Sequence, residues 1–136
     1  AFGQHSGVID INKDKFELPR FPMNEHYGEL KRFKSIINSF PLEYDQLFPK
    51  EKKLTKNTNP PDFRVKFFRE QRNIEKINCY SNELGEWKKS ETGLNNHILT
   101  IKFRGPFYPR RGRLNCSLND NGKWRWFGIQ FPIKNY

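Results

Sequence analysis

Long apolar runs are missing from this chain. None approaches the ~20 residues that a helix needs to cross the hydrocarbon core of a bilayer. Cysteine is scarce too: Cys79 and Cys116 suffice for one disulfide and exclude a four-cysteine zinc site. There is no glycine-rich phosphate loop, no HExxH, no Asp-Asp pair with a downstream His-x-x-x-His, and no Gly-x-Ser-x-Gly elbow. His5, His26 and His97 lie far apart, and although Ser6 follows His5, no acid completes a triad. His5, set between glycines in FGQHSG, is the only candidate catalytic side chain, and no metal-ligand set or cofactor motif accompanies it. As a self-contained catalyst the chain has little to work with, so binding and scaffolding roles come forward. The opening AFGQHSGVID has neither the basic nor the apolar region of a signal peptide, and no initiator Met. Ala1 therefore reads as an internal position of a longer precursor.

What the chain does have is aromatic bulk and positive charge. Apolar residues are only 35% of its 136 residues, but aromatics are 15%, with 13 phenylalanines, so a core can be built from few, large side chains. The length suits one compact domain, or one domain and a fragment. A formal net charge of +10 favours anionic partners (nucleic acid, acidic glycans or an anionic membrane surface), or reflects no more than a solvated basic surface.

The first 25 residues read as irregular structure around short extended pieces such as Val8–Ile11, with Pro19 and Pro22 discouraging helix. An amphipathic helix is expected over about 25–40. Leu30, Phe33, Ile36, Ile37 and Phe40 would form its apolar stripe, Asn24 its N-cap and Pro41 its stop. Residues 42–61, rich in proline and charge, read as a linker between a unit at 1–41 and a second one at 62–136. From Asp62 onward the period changes to two. Phe63/Val65/Phe67, Ile77/Cys79, Leu99/Ile101/Phe103, Leu114/Cys116/Leu118 and Phe127/Ile129/Phe131 alternate, separated by turn signals at 82–85, 92–96, 105–112 and 119–122. The fold class expected is mainly β: a small antiparallel β-sandwich with one N-terminal helix and an extended N-terminal segment.

Asn121-Gly122 should close a hairpin between the last two strands. In this register Cys79 and Cys116 both face inward, which suits a core disulfide in an oxidising compartment; two buried free thiols are the alternative. The same register puts Trp124, Trp126 and Gln130 on the face opposite Phe127, Ile129 and Phe131. Paired aromatics beside a hydrogen-bonding side chain suit sugar rings, unless another segment simply packs over the tryptophans. Tyr108, Arg110, Arg111 and Arg113 form the densest basic cluster, a candidate loop for carboxylated or phosphorylated glycans. Nucleic acid is the weaker partner reading, because alternation separates Arg125 from the tryptophan face.

Three blocks, AFGQHSG, LPRFPMNEHYGELKRF, and RGRLNCSLND with GKWRWFGIQF, resemble the C-terminal third of certain bacterial polysaccharide deacetylases. The resemblance covers most of the chain and is weakest over about 42–75. It implies that residues 1–41 end a deacetylase barrel and that a β-rich accessory domain follows. The parent would hydrolyse acetyl groups from polysaccharide with a divalent metal whose ligands lie upstream of Ala1. This chain would then be non-catalytic, structural or glycan-binding, with the upstream barrel and a polysaccharide as partners. Export to the periplasm, cell envelope or exterior would follow, which favours the disulfide. Loss of the barrel would also leave the N-terminal segment able to pair with a second copy.

Overall fold

The computed structural model describes residues 1–134 apart from 4, 12, 24–27, 69 and 70. Its strands are, in chain order, β1 (Phe40–Pro41), β2 (Gln46–Phe48), β3 (Phe63–Lys66), β4 (Asn78–Ser81), β5 (Lys88–Lys89), β6 (Glu91–Asn95), β7 (Ile98–Lys102), β8 (Arg111–Asp120) and β9 (Lys123–Pro132). They form a five-stranded sheet in the order β1-β9-β8-β4-β5 and a four-stranded sheet in the order β2-β3-β7-β6. Every pairing is antiparallel except that of β1, which runs parallel to β9. The chain is thus mainly β and sandwich-like, as the alternation predicts.

The inward residues of the central strands meet in one core. Phe63, Val65, Leu99 and Ile101 come from one sheet; Cys79, Leu114, Cys116, Leu118, Phe127, Ile129 and Phe131 come from the other. Large rings bridge the layers: Phe131 meets Phe63 edge-on at 5.2 Å and stacks with Phe107 at 5.7 Å between centroids. Cys79 and Cys116 lie directly opposite each other on β4 and β8 and form the disulfide. Closing a loop with a sequence separation of 37 stabilises the fold by roughly 2–4 kcal/mol. The β8–β9 hairpin turns at Asn121-Gly122, whose φ angles of 51° and 89° are the positive values that a tight turn needs. Gly122 N–H also donates to Asn119 Oδ1.

Several expectations are corrected. Residues 42–61 are not a spacer. They supply β2, and Leu42 and Leu54 are fully buried in the core. Leu42 N–H donates to the Trp126 carbonyl, and Leu54 pairs with the end of the chain at Ile133. Prolines and charges disguise the stretch because its apolar anchors are single residues rather than a periodic run. The helix, α1, spans Leu30–Ile37, shorter than 25–40, with Glu29 rather than Asn24 as N-cap. Asn24, Glu25 and His26 lie outside the described residues. Pro41 belongs to β1 instead of stopping the helix. Residues 92–95, expected in a turn, belong to edge strand β6, whose exposed residues carry no apolar alternation; the turn falls at Asn96, with φ of 56°. Val8–Ile11 forms no strand.

Candidate functional site

Alternation along β8 and β9 gives the five-stranded sheet an outer face of a different character from its core. Asn115 and Ser117 lie on β8 opposite Gly128 and Trp126 on β9, and Arg113 pairs with Gln130. Across this face runs the N-terminal segment. It doubles back on itself through Gly3 N–H to the Leu18 carbonyl (2.8 Å) and Arg20 N–H to the His5 carbonyl (3.0 Å). Gly128 is where the segment touches the sheet: a methyl group built there would overlap the Ser6 carbonyl, and one on Gly7 would press on the Gly128 nitrogen. Glycine in the middle of a long strand here marks a close backbone approach. Charges fasten the rest of the segment, with Glu17 3.2 Å from Lys52 and Lys13 set 4.8 Å over the Tyr44 ring.

Between this strap, α1 and the sheet lies a cleft of about 950 Å³, at the upper end of the ~300–1,000 Å³ typical of ligand sites. Phe21, Tyr80, Trp87 and Trp126 give it aromatic walls. Phe21 meets Trp126 edge-on at 5.4 Å, and the Arg113 guanidinium lies 5.1 Å over Trp87. Arg20 from the strap, Lys31 and Arg32 from α1 and Arg113 from β8 bring cations to the same cleft; Glu29 is the carboxylate among its described lining residues. Asn115 Oδ1 and Trp126 Nε1 are buried in its walls without a hydrogen-bond partner among the described residues. Each such atom costs about 1–3 kcal/mol relative to a satisfied one.

His5 also borders the cleft, but its environment is that of a structural residue. Burial lowers its pKa below the ordinary 6.5, against the opposing pull of Glu17, and it shares a hydrogen bond with Gln130. Its Nδ1 lies 4.0 Å from Glu17 Oε1. Neutral imidazole thus packs the strap onto β9. Elsewhere charges are matched tightly. Glu83, fully buried, accepts from Arg104 at 2.7 Å. Burial alone would raise its pKa, but hydrogen bonds from Ser81 and Arg104 outweigh that and hold it low. Asp120 accepts from Arg72 at 3.0 Å and from Arg125 at 3.4 Å, and Arg72 leads in holding its pKa down. A second hollow, of about 780 Å³, opens beside this matched cluster.

The structure therefore brings together some of the expected site residues and separates others. Trp126 and Arg113 line the cleft, and Gln130 adjoins it through His5. Trp124, half-buried, lies beside Trp126, its ring tilted at 39° and 6.4 Å away between centroids, without lining the cleft. Tyr108, Arg110 and Arg111 are not among the lining residues, and Arg111 and Arg113 belong to β8 rather than to a loop. Sequence reasoning missed Tyr80, Trp87, Asn115 and Ser117. The first two arrive only through the pairing of β4 with β8 and the turn that follows it. Asn115 and Ser117 were legible, because they alternate with Leu114, Cys116 and Leu118.

Among the described residues, no group of three or more His, Cys, Asp and Glu side chains could hold a metal ion, and no helix is long and apolar enough to cross a membrane. No family model, curated protein or solved structure matches the chain.

Proposed function

We propose that this chain is a saccharide-binding β-sandwich domain, non-catalytic by itself, that serves as the C-terminal part of a polysaccharide deacetylase. The observation that carries the binding role is the cleft on the outer sheet face, where Trp126, Trp87, Tyr80 and Phe21 wall a space also lined by Arg113, Asn115 and Ser117. Sugar rings present apolar C–H faces to aromatic planes and hydroxyls to polar side chains, and a cleft of this make-up offers both. The role in a deacetylase rests on the AFGQHSG, LPRFPMNEHYGELKRF, RGRLNCSLND and GKWRWFGIQF blocks. Metal and catalytic chemistry would belong to the upstream barrel. The buried disulfide accords with an exported protein.

The test is tryptophan fluorescence against a panel of oligosaccharides. At least one should shift the emission saturably, and Trp126→Ala should remove the shift while the far-UV spectrum stays unchanged. No shift across a broad panel would refute the binding role.

A second reading, docking onto the rest of the parent, is favoured by the apolar side of α1. Leu30 and Ile37 are 66% and 61% exposed, and no residue of the helix is buried. Ile11 and Phe16 on the strap are more exposed still. A chain that remains monomeric at high concentration and does not bind a separately produced upstream barrel would exclude it.

A further inference from the structure

An edge strand presents a row of backbone N–H and C=O groups to solvent, and folds blunt such edges with proline, charge or brevity. Among the described residues, three of the sheet edges are blunted in this way. β1 has two residues, one of them Pro41; β2 has three and runs into Pro49; β5 has two, both lysine. The remaining edge, β6, is not. It spans five residues, Glu91–Asn95, with no proline and one charge, and pairs only with β7. All five residues are exposed, and a methyl group built on Gly93 would meet nothing within 4 Å. The segment Val8–Ile11, expected from the sequence to be the self-pairing one, forms no strand.

The pattern within β6 says what would fit beside it. Thr92 and Leu94 lie opposite Ile101 and Leu99, two buried residues, so both belong to the core side of the sheet. Leu94 is nevertheless 44% exposed, because no described strand lies beyond it. An added strand would cover it. The sequence Glu-Thr-Gly-Leu-Asn is suited to its own copy. In the antiparallel register that matches all five residues, Gly93 meets its counterpart, Thr92 meets the partner's Leu94 and Glu91 meets the partner's Asn95. Thr92 and Leu94 then stay on the core side in both copies, as period-two alternation demands. The one charge faces a neutral amide, so no like charges are opposed.

We infer that β6 pairs with β6 of a second copy of this chain, joining the four-stranded sheets of the two copies edge to edge. A contact of this length buries less than the ~1,200 Å² at the lower end of standard interfaces, so the dimer is weak and forms at high chain concentration. None of the β6 residues lines the cleft, so the pairing does not depend on what the cleft binds.

The experiment is sedimentation velocity of the whole chain, at an ionic strength that screens its net charge of +10. Between about 10 μM and about 1 mM the average mass should rise toward that of a dimer. Thr92→Lys/Leu94→Lys sets ammonium groups against each other in both mixed pairs and should keep the chain monomeric. Thr92→Glu/Leu94→Glu should do the same with carboxylates. Both positions are exposed, so the melting midpoints of the two variants should match that of the parent chain. An equimolar mixture of the variants should associate about tenfold or more tighter than either alone, because opposite charges now face each other. A chain that stays monomeric throughout overturns the inference and leaves the saccharide reading standing. Association that survives both double variants, or that Leu30→Lys/Ile37→Lys on α1 abolishes instead, overturns it in favour of another surface.

Discussion

The two faces of the β8–β9 hairpin share a backbone, a register and a turn, yet they differ in nearly every other respect. Inward, Leu114, Cys116, Leu118, Phe127, Ile129 and Phe131 are buried among apolar neighbours, and their one reactive pair is locked in a disulfide. Outward, the same strands present Arg113, Asn115, Ser117, Trp126 and Gln130 to a strap that covers them incompletely. The inner face is solved by shape alone. The outer face carries aromatic surface, cations and two buried polar atoms, Asn115 Oδ1 and Trp126 Nε1, that have no hydrogen-bond partner among the described residues, a combination that makes sense for a surface meant to meet something polar. The close apolar packing is thereby concentrated on one side of the sheet, and the proposed recognition surface lies on the other.

The sharpest way to break this contrast is from the inside. Phe131→Ala removes a fully buried ring that touches Phe63, Phe103 and Phe107. It should cost about 3–5 kcal/mol in denaturant melts. A loss below about 1 kcal/mol would mean that the two sheets are not held together as described. A smaller effect is expected at the strap. In Gly128→Ala the new methyl must displace Ser6, at a cost of about 1–3 kcal/mol. Its signature should be faster proteolysis within residues 1–22 with the disulfide-linked sandwich intact. Uniform destabilisation of the whole chain would merge the two faces into one cooperative unit.

Acidity should separate the faces more gently. His5 is buried with its pKa lowered from 6.5. As the pH falls through 6.5 the unfolded chain takes up a proton that the folded strap resists. Stability is therefore lost from that point down to the folded value, where the loss levels off. The carboxylates act in a separate window. Glu83 and Asp120 are held below their ordinary 4.5 and 3.8, so their contribution persists above those values and is lost only in stronger acid. Melts between pH 7 and pH 5 should thus show a decline that His5→Gln removes. A decline unchanged in that variant would place the responsible group elsewhere.

How much of this was legible in the sequence follows from the same contrast. The inner face announces itself by strict alternation, so the core, the hairpin at Asn121-Gly122 and the inward cysteines could all be read directly. The outer face obeys the same period but lacks a code, because nothing in Asn115 or Ser117 says what lies over them. One clue was present: a glycine at position 128, amid Trp126, Phe127 and Ile129, marks a close approach by other backbone. The strap's path itself depends on contacts between residues more than a hundred positions apart, such as Gly7 with Gly128 and His5 with Gln130. Leu42 and Leu54 were hidden for another reason. Each is a lone apolar residue in a charged, proline-rich stretch, with no periodic neighbours to reveal that it reaches the core.

The central claim is that the outer face is the one that recognises a ligand. It is tested most directly by nitrogen-15 NMR of the three tryptophan indole N–H groups during titration with an oligosaccharide that shifts the chain's tryptophan fluorescence. The account predicts saturable shifts for Trp126 and Trp87, which line the cleft, a lesser one for Trp124, and unchanged backbone signals for Leu114, Phe127 and Phe131. Indole signals of Trp87 and Trp126 that stay fixed while the sugar demonstrably binds would contradict it.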